Sequence, residues 1–302
     1  MRPTLADELN RRPVVLDGGL ATLLEAHGHD LSSSLWSAQL LADDPAAVQA
    51  AHAEFYAAGA EVAITASYQA SFAGLAYIGI DSVGAARLIR RSCEIADAAR
   101  HSQQGGRPRW VAASVGPYGA AQADGSEYRG DYGLTVDELR GWHRPRLQVL
   151  MQAVADGLAD VLAIETIPSA AEAEALLAEL QGTGIPAWLS FTGVDGRTRN
   201  GERAEDAFAL ARGIDEVFAV GVNCCPAEAV AEFAAAASNA SALPAVVYPN
   251  SGELWDADAR RWTGDTTIDP SLVPAWLDAG ATLVGGCCRV LPSAISAIAA
   301  AV

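Results

Sequence analysis

Short β-branched or apolar runs alternate with longer amphipathic stretches rich in Ala, Leu and Glu from one end of the chain to the other. The short runs predict strands near Val14–Asp17, Val62–Thr65, Trp110–Ser114, Val161–Glu165, Ala187–Phe191, Ala219–Asn223, Ala245–Tyr248 and Thr282–Gly285. The intervening pattern predicts helices, among them Ala46–Ala58, Ala85–Ala99, Val136–Asp156, Ala170–Leu180 and Ala227–Ala237. Eight β-then-α units in 302 residues, with no break rich in Pro, Ser or charge, predict an α/β fold: one (β/α)8 TIM barrel spanning 1–302. The alternative is an open doubly wound sheet. It is weakened after the first strand, where Asp17-Gly18-Gly19-Leu20-Ala21-Thr22 lacks the glycine spacing of a dinucleotide site.

A barrel carries its active site where the strands end. The predicted ends carry Asp17; Thr65 and Ser67; Ser114 and Gly116; Glu165 and Thr166. The other four carry Ser190 and Thr192; Asn223 and Cys224; Tyr248 and Asn250; Cys287 and Cys288. Strand ends are generally more polar than strand middles, so polarity by itself decides little. Four of the five cysteines at two such ends decide more. The connection from Val115 to Leu134, about twenty residues rich in Gly, Tyr and charge, reads as a lid or binding loop.

Charge narrows the function. Twenty basic residues against 37 acidic ones leave a formal net charge of −17, which argues against nucleic acid as a partner. All twenty are Arg, so chemistry that needs a lysine is excluded: Schiff bases, lysine-held pyridoxal phosphate and Walker-type phosphate loops. No apolar run approaches about 18 residues and no signal-peptide core opens the chain, so a cytoplasmic protein with no membrane span is expected. The pattern is compatible with a monomer and does not set the oligomeric state.

Gly221-Val222-Asn223-Cys224-Cys225-Pro226 closes the sixth unit's strand and Gly285-Gly286-Cys287-Cys288-Arg289 the eighth's. One strand separates them, about 10 Å along the wall, so side chains leaning inward can meet. Three thiolates with one open position would suit a catalytic Zn2+. Three other readings stay open: small buried hydrophobes, a vicinal Cys287–Cys288 disulfide, or a closed structural site with Cys225 as fourth ligand. Cys93 falls in a helical pattern and is assigned to core packing. His27 and His29 are read as exposed, and His52 and His143 as structural.

The chain also resembles the homocysteine S-methyltransferases, especially the stand-alone enzymes that use S-methylmethionine or S-adenosylmethionine. The resemblance covers about residues 13–300. It is carried by Leu16–Thr22, Leu35–Ala38, Ala63–Ala70, Ser114–Ala120, Ala123–Tyr132, His143–Arg146, Glu165-Thr166, Gly221–Cys224, Tyr248–Glu253 and Gly285–Arg289. It implies a zinc barrel with Cys224, Cys287 and Cys288 as ligands, in which homocysteine binds as its thiolate and takes a methyl group from a sulfonium sulfur. Cys225 departs from the family pattern. Asp17 and Glu165 are then the candidates for the α-ammonium of homocysteine, and the N–H groups of Gly18 and Gly19 for its carboxylate. Thr65, Ser67, Asn223, Tyr248 and Asn250 are candidate substrate contacts. Trp36, Tyr68, Tyr118 and Tyr128 could face the sulfonium through cation–π attraction. Glu127 and Asp124 could add negative charge, although loop acids are usually just solvated. Related alternatives are another thiol or selenol acceptor, betaine as donor, or a non-catalytic zinc or thiol-redox sensor.

Overall fold

The structure, a computed structural model, describes the chain except residues 1, 32–35, 123, 253, 257–260 and 264–267, and except the side chains of 36–39, 254–256 and 261–263. Eight parallel strands form the wall: β1 Val14–Val15, β2 Val62–Ile64, β3 Trp110–Val115, β4 Val161–Ile167, β5 Ala187–Phe191, β6 Val217–Asn223, β7 Ala245–Tyr248 and β8 Ala281–Val284. Each strand pairs with its neighbours in sequence, and β8 pairs with β1. A bridge between Leu16 and Val62, flanked by Glu61 N–H to Val15 O and Asp17 N–H to Val62 O, joins β1 to β2 and closes the barrel. The open-sheet alternative is thereby excluded.

Strand alternation sorts the side chains into two apolar sets. Val14, Leu16, Val62, Trp110, Ala112, Val161, Ala163, Trp188, Ala219, Val246 and Leu283 cluster inside the barrel. Val15, Val111, Ala113, Val115, Leu162, Ile164, Val220, Val222 and Val247 face outward and pack against the helices. One element went unread in the sequence: helix Leu5–Leu9, capped by Thr4, sends Leu5 and Leu9 into the inner cluster. Trp110 Nε1, at the start of β3, donates to Pro3 O at 3.1 Å, so this helix stops the N-terminal end of the barrel. Burying each leucine contributes about 1.5–3 kcal/mol.

The predicted helices appear as Pro45–Ala57, Ser82–Ser102, Val136–Ala155, Ala170–Leu180 and Val230–Ser241, the last preceded by a 3-10 turn at Ala227–Ala229. The long connection after β3 is more ordered than its composition suggests, with helix Tyr118–Gln122 and a 3-10 turn Ser126–Tyr128. Among the described residues no helix is long and apolar enough to cross a membrane.

Candidate active site

The inward positions of each strand run on to its C-terminal end. Counting by twos from Trp110, Val161, Trp188, Ala219 and Val246 reaches Ser114, Glu165, Ser190, Asn223 and Tyr248, which form a polar layer above the apolar filling. The Ser114 hydroxyl donates to Glu165 Oε1. Trp188 Nε1 donates to the Tyr248 hydroxyl at 3.0 Å. Above this layer lies a cavity of about 280 Å³ whose wall includes Gly18, Gly19, Thr65, Tyr68, Gln69, Glu127, Tyr128, Glu165, Tyr248 and three cysteines.

Those cysteines are Cys224, Cys287 and Cys288. The Sγ of Cys287 lies 3.2 Å from that of Cys224, Cys288 lies 3.5 Å from Cys224, and Cys287 and Cys288 are 4.0 Å apart. Local backbone makes this possible. Asn223 points inward, so alternation alone would send Cys224 out to the helices. Its positive φ of 52° turns the chain and brings its sulfur back over the barrel mouth. Cys225 then lies fully buried in the outer apolar core, and burial pushes its thiol up. Cys225 is therefore not a fourth ligand here. On the other side, Gly286 leaves no room for a Cβ, which would meet Val290 Cγ1 at 2.2 Å. All five cysteines are free thiols, so Cys287 and Cys288 are not joined.

The donor set suits a tetrahedral soft metal. Bonds of about 2.3 Å from zinc to sulfur place thiolates about 3.8 Å apart, and the observed separations bracket that value. Among the described residues this is the only cluster of three or more His, Cys, Asp or Glu whose atoms are placed to hold an ion. Cys224 is held well below the usual thiol range because the Cys287 and Cys288 thiols donate to it, with Tyr128 adding to the effect. The Tyr128 hydroxyl lies 3.8 Å from its sulfur.

The acids lie nearby. Burial pushes Glu165 up to about 7, against hydrogen bonds from Ser114 and Tyr248 that favour its charged form. Asp17 Oδ2 accepts the Ile64 N–H at 2.8 Å, while Oδ1 is buried without a partner. Burial, and then the charge of Glu165, hold Asp17 well above the usual carboxylate range. Neither acid forms an ion pair among the described residues, and Arg129 pairs with Asp131 at the surface.

Several expected contacts turn out to be supports. Asn223 is fully buried. Its Oδ1 accepts from Thr166 N–H at 2.7 Å and from the Ser190 hydroxyl at 2.8 Å, and its Nδ2 donates to Thr166 Oγ1 at 2.7 Å and lies 3.9 Å from Cys287 Sγ. Asn250 Oδ1 accepts the Cys288 N–H at 3.2 Å, and Asn250 N–H donates to Cys225 O. Both asparagines hold the cysteine loops and stand off the cavity wall. Ser67 likewise donates to Ser114 O and bonds Thr65, leaving only Thr65 on the wall. The Gly19 N–H is spent on Val290 O at 2.9 Å, so it is not free for a carboxylate. Gly18 and Gly19 serve close packing: a Cβ on them would meet Val290 O at 2.3 Å and Cys287 O at 2.7 Å. Asp17 sits beneath the wall rather than on it.

Of the aromatic candidates, Tyr68 and Tyr128 line the cavity, whereas Tyr118 packs on Tyr132 and Trp142. The Trp36 side chain lies outside the described residues. His27 meets Glu54 at the surface, and His143 is buried against Glu172 at 2.8 Å. The sequence reading missed Gln69, whose buried Oε1 has no partner, and Arg199, which stacks over Tyr128 at 5.6 Å. Gln69 lies inside the Ala63–Ala70 segment that carried the resemblance. Arg199 follows a two-stranded ribbon, Gly193–Val194 with Arg197–Thr198, that no periodicity announces.

A closed parallel barrel that gathers thiols and carboxylates over its strand ends defines the class: a barrel enzyme with a site fit for a thiolate-bound metal. Residues 14–302 match the model of the homocysteine S-methyltransferase family. Homocysteine S-methyltransferase of Escherichia coli K12 is 44% identical over 298 residues, covering 95% of this chain and 94% of that protein. Selenocysteine Se-methyltransferase of Brassica oleracea is 40% identical, covering 94% and 87%. Among solved structures, the metallated form of the E. coli homocysteine methyltransferase MmuM superposes with a TM-score of 0.85 at 40% identity, over 97% of this chain and 98% of that one. The chain belongs to the homocysteine S-methyltransferase family and is an enzyme of the methyltransferase class.

Proposed function

We propose that this protein transfers a methyl group from a sulfonium donor, S-methylmethionine or S-adenosylmethionine, to the sulfur of L-homocysteine, forming methionine, with Zn2+ held by Cys224, Cys287 and Cys288. The observation that carries this reading is the convergence of three thiols on a cavity shared with a buried carboxylate, Glu165. Soft thiolates favour Zn2+ over Mg2+ or Ca2+, and three protein ligands leave a coordination position for substrate. When bound, the metal supplies a deprotonated acceptor sulfur at neutral pH, where a free thiol near pKa 8.5 is mostly protonated.

The protein's own groups do the rest. Glu165, with Asp17 behind it, takes the ammonium of homocysteine, and each acid offers an oxygen whose burial lacks a compensating cation. Tyr68 and Tyr128 enclose the reacting sulfurs and exclude water. The acceptor sulfur's electron pair forms the new S–CH3 bond as the donor's C–S bond breaks. That bond's pair stays on the donor sulfur, which leaves as a neutral thioether, while the thiol proton is lost to solvent. Such a leaving group needs alignment more than acid–base help. The five free thiols fit action in the reducing cytoplasm.

The test is methionine formation by the purified, zinc-loaded protein with S-methylmethionine, S-adenosylmethionine and betaine in parallel. Turnover with a sulfonium donor that is lost on chelation and returns with zinc supports the reading. One bound zinc per chain without turnover from any donor would overturn it, pointing to another acceptor or to a sensor.

A further inference from the structure

None of the described residues lining the cavity is basic, whereas Glu127, Glu165 and three thiols lie on its wall. Arg199 stacks over the Tyr128 ring from off the wall and a metal would offset the thiolates, so the two carboxylates still favour an occupant that brings positive charge. At the floor, Glu165 is already engaged by Ser114 and Tyr248. Glu127, on the loop wall, is placed differently. Its Oε2 is buried and accepts no hydrogen bond. Glu127 lines the same cavity as Tyr68, Cys224 and Cys288, so it borders the place where sulfur chemistry would occur. The cation in its field, Arg129, is exposed and directed to Asp131 at 3.4 Å. The loop's other acid, Asp124, accepts the Ser126 N–H at 2.9 Å and so fastens the turn, a task that Oε2 of Glu127 does not share.

The loop backbone fixes this position. A Cβ on Gly119 would come within 2.4 Å of Glu127 N and 2.7 Å of Ser126 C, so only glycine lets helix Tyr118–Gln122 press on the 3-10 turn. Gly125, with φ of 76°, opens that turn. Burial, helped by the charges of Cys224 and Asp124 and opposed by the loop backbone and the exposed Arg129, pushes Glu127 up to about 7.

We infer that Glu127 recognises the positive sulfur of the methyl donor and so selects sulfonium donors over neutral thioethers. This rests on the methyl-transfer reading above. The donor sulfur loses its charge as its C–S bond breaks, so Glu127 stabilises the bound donor more than the transition state. Its contribution belongs to donor affinity, and the same asymmetry speeds departure of the neutral product.

The experiment uses the zinc-loaded holoenzyme and Glu127→Gln. It combines calorimetric titration with S-methylmethionine, steady-state kinetics, and methionine as a competitive inhibitor against the donor at saturating homocysteine. In E127Q, donor affinity should fall about tenfold or more, donor KM should rise with it, and kcat should hold or increase. Inhibition by methionine, the homocysteine KM and the zinc content should stay at wild-type values. Glu127→Asp, which keeps the charge, should keep most of the preference for the sulfonium. Unchanged donor affinity in E127Q, or a lower kcat with donor affinity intact, would overturn the assignment. If E127Q does not fold, loss of the preference in Glu127→Asp does the same. Wild-type protein inactive with every sulfonium donor would instead defeat the methyl-transfer reading.

Discussion

At the scale of single residues, the site depends on which of two adjacent cysteines faces the barrel mouth. Cys224 does, through a left-handed backbone that a β-carbon adopts only at some cost, and Cys225 packs among apolar helix residues. Cys224→Ala should therefore lose bound zinc and turnover together, read by metal analysis and methionine formation. Cys225→Ala should keep one zinc per chain and cost only about 1 kcal/mol in a denaturant titration. Asn223 acts one step further out. Asn223→Ala strips partners from buried Thr166 and Ser190 and frees the Cys287 loop. Zinc affinity in a competing-chelator titration should fall about 10–100-fold, as for other outer partners of metal ligands. These residues were legible to different degrees. The cysteine pairs stood out because adjacent thiols at two strand ends are chemically conspicuous. Asn223 and Asn250 stood out only as polar rim residues, because a side chain's partners depend on strands far away in sequence.

At the scale of elements, strands and helices were readable because each obeys a local period set by burial on one or two faces. Loops obey none, and the loop after β3 shows the consequence. Its Gly and Tyr content signalled a binding loop, but the 3-10 turn that aims Glu127 inward exists only because Gly119 lets two segments touch. Gly119→Ala should displace that turn, raising donor KM while zinc content and the homocysteine KM hold; equal effects on both substrates would mean the loop serves the whole site. The short helix Leu5–Leu9 escaped notice for a related reason. Five residues are too few to show a helical period, and their burial comes from the barrel end they cover.

At the scale of the molecule, closure of the wall lets distant strand ends share one cavity, and it buries groups that must stay neutral. His52 is fully buried with neither ring nitrogen bonded, and burial pushes it down to about 4. An unfolded chain takes up that proton near 6.5, so folding stability is unaffected by His52 above this pH and falls as pH drops from about 6.5 toward 4. The difference in stability between wild type and His52→Leu should shift against wild type by up to about 1.4 kcal/mol per pH unit across that window and be flat above it. A difference that stays flat down to pH 4 would mean His52 takes up its proton as readily in the folded chain.

The sequence alone determined the order of strands and helices and favoured the barrel over an open sheet, which the Leu16–Val62 closure then settled. It also set the all-arginine cation set that excludes lysine chemistry, and the two thiol pairs that pointed to a metal. Those are properties of pattern and composition, which burial writes into the chain locally. Tertiary structure decided which cysteine of the first pair turns inward, which rim residues touch the cavity and which hold others in place, and that Oε2 of Glu127 is buried without a partner. The surroundings that give these features their effect come from segments tens to hundreds of residues apart, and such contacts come into being only when the wall closes.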